Sequence, residues 1–158
     1  MIRRIAAVFL AFTALLVLSG CAPKLTAEEY KDELTSAYNE FMTAHMKISE
    51  IMYAVEQGDR TSLENSEFND ACEDMESSVK RFEKMNPPDK YQDKHKRMIK
   101  SLDNYRDWIK AVEKFVECTT PEEFEKALDE ANGTLDIENG FLRQYLNLFI
   151  ELSKETVI

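Results

Sequence analysis

The sequence predicts an all-α protein built as an up-down-up-down antiparallel four-helix bundle. Apolar residues recur over long stretches in alternating steps of three and four, which keeps them on one stripe of a helix. Three threonines each stand three residues before a glutamate at the head of such a stretch. In this capping-box pattern the hydroxyl takes a free amide of the first turn and the carboxylate reaches back. Breakers are few, with four glycines and four prolines in 158 residues, most of them between the periodic stretches.

The first helix opens at Thr26-Ala27-Glu28-Glu29 and carries the stripe Leu34, Tyr38, Phe41, His45, Ile48, Met52, Val55. Gly58 is placed to cap its C-terminus. The helix spans about 46 Å at about 1.5 Å per residue. The second opens at Thr61-Ser62-Leu63-Glu64, carries Phe68, Cys72, Met75, Val79 and Phe82, and stops at Asn86-Pro87-Pro88-Asp89. Consecutive prolines end an incoming helix, and the second can begin the next. The third carries Tyr91, His95, Met98, Leu102, Tyr105, Ile109, Val112 and Val116.

The fourth opens at Thr120-Pro121-Glu122-Glu123, with proline at the favoured first position. It reads Phe124, Leu128, Ala131, Leu135, then Leu142, Tyr145, Phe149, Leu152, interrupted by Glu138. Gly133 and Gly140 fall inside it, each costing about 1 kcal/mol relative to alanine. A continuous or kinked helix to about Lys154 is expected, because that length matches the first and third. Ala37, Ala44, Ile51, Ile99, Trp108 and Phe115 widen the stripes into a core. Short connections favour antiparallel neighbours.

Ahead of the helices lies a leader. Arg3 and Arg4 precede an apolar run, Ile5 to Leu18, broken only by Thr13. A membrane-spanning helix needs about 20 apolar residues; this run has the length and flanks of a secretory signal instead. It ends in Leu18-Ser19-Gly20-Cys21. These four residues resemble the bacterial lipobox. The resemblance implies a diacylglyceryl thioether on Cys21, removal of residues 1–20 before it, and acylation of the new N-terminus. Two or more acyl chains give stable anchoring where one binds only reversibly. The expected organisation is a signal peptide over 1–20, a lipidated N-terminus and short linker over 21–25, and a helical domain over 26–158. The expected location is the extracytoplasmic face of the cell membrane.

Loss of Arg3 and Arg4 with the leader lowers Lys+Arg from 20 to 18 against 30 Asp+Glu, a net charge of −12. That balance argues against nucleic acid as a partner, which would need a basic surface. The charge is unevenly spread. Residues 80–100 hold Lys80, Arg81, Lys84, Lys90, Lys94, Lys96, Arg97 and Lys100 against Glu83, Asp89 and Asp93. In up-down order this turn shares an end with Cys21, which makes it a candidate membrane-proximal basic cluster; the opposite reading is that these charges solvate helix surfaces. Glu56, Asp59, Glu64, Glu67, Asp70, Glu122 and Glu123 gather toward the other end.

The same turn holds Pro87-Pro88-x-x-Tyr91-x-x-x-His95. This resembles a pattern in small helical bacterial lipoproteins of unknown function, and implies no activity. Its structural reading is a rigid turn with a Tyr91/His95 pair closing the bundle's end.

Both histidines fall on core stripes, but at different heights, too far apart to hold one ion. Met42, His45 and Met46 cluster by themselves, and thioethers with imidazole suit copper(I); methionine at helical spacing more often fills core. A buried imidazole needs a hydrogen-bond partner, and Glu138, at nearly the height of His45, is the candidate. Cys72 and Cys118 lie about 22 and 46 Å along their helices from the Pro87 turn. A disulfide needs Cα atoms within about 7 Å, so two free thiols are expected. There is no phosphate loop, nucleophile elbow or H-E-x-x-H, and no enzyme activity or cofactor is expected. The function read from the sequence is a non-catalytic binding or structural module at the cell envelope, with an envelope protein as a possible partner. The alternative is a small-molecule or metal-binding bundle using Met42, His45 and Met46. If His45 and Glu138 pair, replacing either destabilises the fold and the double replacement costs less than the sum in denaturant titrations; additive losses refute the pairing.

Overall fold

The computed structural model describes residues 23–64, 66–134 and 140–155, and their side chains except at 62 and 64. The leader, Cys21, Leu135 and Glu138 lie outside the described residues, and with them the lipobox and the His45–Glu138 pair. The described residues are all-helical, without strands. Seven α-helices follow in order: α1 (Ala27–Glu56), α2 (Thr61–Glu64), α3 (Glu67–Lys84), α4 (Gln92–Ser101), α5 (Asp103–Glu113), α6 (Pro121–Gly133) and α7 (Phe141–Glu155). Short 3-10 turns occupy Asp89–Tyr91 and Lys114–Glu117. No helix among the described residues is long and apolar enough to cross a membrane.

The helix ends show why the chain divides there. At Thr26 the capping box is complete: Glu29 N–H donates to the threonine hydroxyl at 3.2 Å and Thr26 N–H to the glutamate at 2.8 Å. Thr120 repeats it with Glu123, and Thr119 adds its own N–H and hydroxyl to the same carboxylate. After α1 the chain turns through Gly58 at φ +92°, the left-handed conformation that favours glycine. At Thr61, where a third box is expected, the Glu64 side chain lies outside those described. Thr61 is the first helical residue, not the cap before it, and its N–H donates to Asp59 Oδ1 at 2.9 Å. Only one turn follows before α3 starts afresh at Glu67.

The two long rods expected after Pro88 are each divided. Ser101 Oγ donates to the Met98 carbonyl at 2.6 Å, and Leu102 N–H donates to Ile99 rather than one residue further back. A hydroxyl bonding back into the preceding turn competes with the helix ladder and bends it. The expected continuous fourth helix is instead α6 and α7. Helix α6 ends at Gly133, with the Thr134 hydroxyl and N–H both on the Ala131 carbonyl; glycine's low helix propensity allows the stop.

These breaks shift the buried stripes. Val116, expected in the core, is exposed, and Phe115 is fully buried in its place. A 3-10 turn has about three residues per turn, so the position below Val112 is Phe115. Leu142 is likewise exposed, and Phe141, which starts α7, is buried together with Tyr145, Leu148 and Leu152. Elsewhere the stripes lie inside: Leu34, Phe41, Ile48, Met52 and Val55 in α1, and all five expected residues of α3.

Helix α1 packs along α3 and α7, α5 along α6, α4 along α7, and α3 meets α5. At the centre the Phe41 ring lies 4.9 Å from Tyr105, 4.9 Å from Phe141 and 6.3 Å from Phe82, centroid to centroid. One residue of α1 thus touches an aromatic ring from α3, α5 and α7. Such pairs add about 0.5–1.5 kcal/mol each beyond burial. Phe41→Ala is expected to cost about 3–5 kcal/mol, read from the urea midpoint, whereas Phe41→Leu, which refills most of the space, costs clearly less.

Candidate functional site

The end where the chain enters the fold is the most closely tied part of the molecule. Leu25 N–H donates to the Asn86 carbonyl at 3.0 Å, and Lys24 pairs with Asp89. Tyr91 and Lys90 both donate to Glu155 at the end of α7. Residues 24–30, 86–95 and 155 therefore share one end. At the other end the Arg60 guanidinium donates to the Cys118 carbonyl, joining the α1–α2 turn to the start of the α6 connection.

His95 is buried at the entry end, as the stripe predicts, but its partner is not Tyr91. Tyr30, one turn before Leu34 and fully buried, lies 2.8 Å from His95 Nδ1 through its hydroxyl. The Phe82 backbone favours protonation of the ring. Tyr91 stacks obliquely on Tyr30 at 6.3 Å and turns its own hydroxyl to Glu155. The signal for Tyr30 was present: it sits four residues ahead of Leu34 on the same stripe. Burial drives the His95 pKa from 6.5 down to about 4, only partly opposed by the Phe82 bond.

The basic cluster is divided by its pairings. Lys80 pairs with Glu76 at 2.8 Å, Arg81 with Glu33 at 2.8 Å and with Glu40, Lys90 with Glu155 at 2.7 Å, and Lys94 with Glu151. Lys84, Lys96, Arg97 and Lys100 are exposed and make no ion pair among the described residues. The cluster is thus smaller electrically than its count of residues suggests.

His45, Met42 and Met46 do not share one environment. Met42 packs half-buried against the core, while Met46 is 54 % exposed. The His45 ring stacks on Trp108 at 5.1 Å, with Tyr105 and Phe41 at 6.0 and 6.5 Å. Burial lowers its pKa. His45 and Trp108 line a cleft of about 350 Å³ with Met52, Tyr53, Glu56 and Leu128. The buried Trp108 indole N–H has no partner among the described residues. No group of three or more His, Cys, Asp or Glu among the described residues is placed to hold a metal ion. Cys72 and Cys118 are both free and buried. Burial, with the nearby Glu113 and Glu76 charges, pushes the Cys72 thiol up to about 12.

A pH dependence follows from His95. Its folded pKa lies below its unfolded value, so the unfolded chain binds the extra proton first. The stability this histidine contributes is complete above pH 6.5 and is lost progressively down to about pH 4. The loss by pH 4 is about 3 kcal/mol, and His45 acts in the same direction. Urea midpoints measured across this range should fall in the native protein. His95→Asn keeps an acceptor for Tyr30 and should flatten the slope, leaving the part due to His45. An unchanged slope in the variant contradicts the assignment.

No curated protein and no solved structure matches this chain. Residues 24–137 match the family described as a domain of unknown function, DUF7018. That match opens two residues before the Thr26 cap, runs through the Tyr30–His95 end and the Phe41 cluster, and closes beyond α6. The chain belongs to this family, DUF7018.

Proposed function

We propose that the protein is a lipid-anchored lipoprotein on the extracytoplasmic face of the cell membrane, acting there by binding or as a structural module rather than by catalysis. In this reading α1, α3, α4 with α5, and α6 with α7 are the four rods of an up-down-up-down bundle. The packing of α7 on α4 and of α6 on α5 supports it. The observation that carries the anchoring is the lipobox Leu18-Ser19-Gly20-Cys21, set just before a chain entry that is tied down at Lys24 and Leu25. Thr26 follows Cys21 by five residue steps, a reach of at most about 18 Å. The acyl chains would therefore hold the entry end, with Pro87, Lys90 and the α7 C-terminus, against the membrane. The far end, with Glu56, Asp59, Glu122 and Glu123, would face outward toward an envelope protein.

The cleft beside His45 and Trp108 supports a second reading, a small-molecule or metal binder. Elemental analysis and native mass spectrometry of protein from its own host separate the two. Stoichiometric metal or a retained small molecule favours the second.

The anchoring is tested on the same material. Mature protein is expected to begin at Cys21 and to carry the mass of a diacylglyceryl group and further acyl chains. Cys21→Ser should move it from the membrane pellet to the soluble fraction. An unmodified Cys21 in native protein overturns the proposal.

A further inference from the structure

Helix α7 turns its buried side, Phe141, Tyr145, Leu148 and Leu152, into the core, yet its outer side is not polar. Leu142, Leu146 and Ile150 are 47 %, 45 % and 49 % exposed. Their spacing of four places them on one ridge along the helix. Each exposed aliphatic alone is ordinary; three in register on one helix form a stripe.

Both flanks of the ridge are clefts that share Ile150 and Lys154. Toward α4 the groove is about 340 Å³ and is lined by Lys94, Arg97, Asn147, Ile150, Glu151 and Lys154. On the other side Phe149, Ile150, Ser153 and Lys154 line a shallower space of about 450 Å³. The carboxylates near the groove are engaged: Glu151 with Lys94, Glu155 with Lys90 and Tyr91. Arg97 and Lys154 make no ion pair among the described residues. A chain of strongly negative net charge thus presents, beside an apolar ridge, two cations without an ion pair among the described residues.

We propose that this face of α7, with Arg97 of α4, lies on the surface of an anionic bilayer. Leu142, Leu146 and Ile150 would enter the headgroup–acyl boundary, with Arg97 and Lys154 reaching lipid phosphates. Apolar side chains flanked by long cationic ones are the pattern of an interfacial amphipathic surface, in which Lys and Arg stems run along apolar surface while their charges stay at the headgroups. Three half-exposed aliphatics fall far short of a stable protein interface, which needs roughly 1,200–2,000 Å². A bilayer face has no such minimum when the molecule is already tethered, because the tether makes the second contact intramolecular. The inference rests on the anchoring reading for that tether. The tethered molecule would then lie over on this face instead of standing on its entry end, and the geometry allows it: the C-terminus of α7 lies at the end where the chain enters.

The test uses full, lipidated protein bearing Leu146→Cys labelled with an environment-sensitive fluorophore, reconstituted into vesicles. Cys72 and Cys118 are buried with raised pKa values, so the new thiol takes the label. Glu73→Cys, exposed on α3, is the reference site. In vesicles containing phosphatidylglycerol, the label at 146 should shift to shorter wavelength and be quenched by brominated lipid, while the label at 73 is not. Vesicles of phosphatidylcholine alone, or high salt, should reduce the effect. Arg97→Gln with Lys154→Gln should weaken the face-bound state about twenty- to thirtyfold, since each basic group near an anionic surface contributes about fivefold, while the protein still floats with the vesicles. Floating protein with 146 as water-exposed as 73 overturns the face and leaves the anchor standing. Protection at 146 that tracks protein density and ignores lipid charge assigns the face to a second copy and overturns the proposal. Protein that does not float overturns the anchor, and the face with it.

Discussion

The fold depends on four aromatic rings meeting at one height. Phe41 is fully buried near the middle of α1 and touches Phe82, Tyr105 and Phe141, each from a different part of the chain. The two interruptions of the helical rods sit beside this cluster. Tyr105 follows the bend at Leu102 by three residues, and Phe141 is the first residue of α7. An unbroken fourth helix would carry the Phe124–Leu128–Ala131 stripe on to Leu142 and leave Phe141 on its edge. Restarting the helix at Phe141 brings the larger ring inward, where it also meets Tyr38 and Tyr145. The broken ladder near Gly133 is thereby offset by burial of a whole aromatic side chain, worth about 1.5–3 kcal/mol.

Much of this architecture is written in the sequence at the level of periodicity. The stripe of α3 needs only its steps of three and four, and the caps at Thr26 and Thr120 follow from residue types alone. Periodicity assumes one helical geometry throughout, and it fails where geometry changes. Val116 was misplaced because Lys114–Glu117 is a 3-10 turn, and Leu142 because the phase restarts. Thr61 carried the residues of a cap, yet Asp59 reached its amide first. Spacing alone does not show that Thr61 stands inside the helix and not before it.

The entry end was partly legible for the same reason. His95 falls on the stripe and is buried, but a sequence shows neighbours on one helix, such as Tyr91 one turn away, better than partners on another. Tyr30 comes from α1, and only the folded chain brings its hydroxyl to Nδ1. Nδ1 of His95 is then partnered by the Tyr30 hydroxyl, which helps make a buried imidazole tolerable. Counting charges overstated the basic cluster in a parallel way. Lys80, Arg81, Lys90 and Lys94 are neutralised by carboxylates one turn away or on facing helices, which a tally along the chain cannot assign.

The pairing pattern separates charges that hold the molecule together from charges that face outward. Arg81 bridges α3 to Glu33 and Glu40 of α1, Lys94 and Lys90 bridge the Pro87 side to α7, and Lys24 holds the entering chain to Asp89. Each lies at an exposed or half-exposed position, so each contributes little alone, about 0–1 kcal/mol; together they fix which helices are neighbours at the entry end. What they leave over is a set of exposed cations on α3, α4 and α7: Lys84, Lys96, Arg97, Lys100 and Lys154. A net-negative molecule would be expected to surround such groups with carboxylates. Asp89, Glu151 and Glu155 are instead engaged by Lys24, Lys94 and Lys90, so none of the three is left for these five cations. Charge pairing at this end therefore decides which cations stay available to an outside partner, although Asp93, exposed one turn from Arg97, shares the same surface.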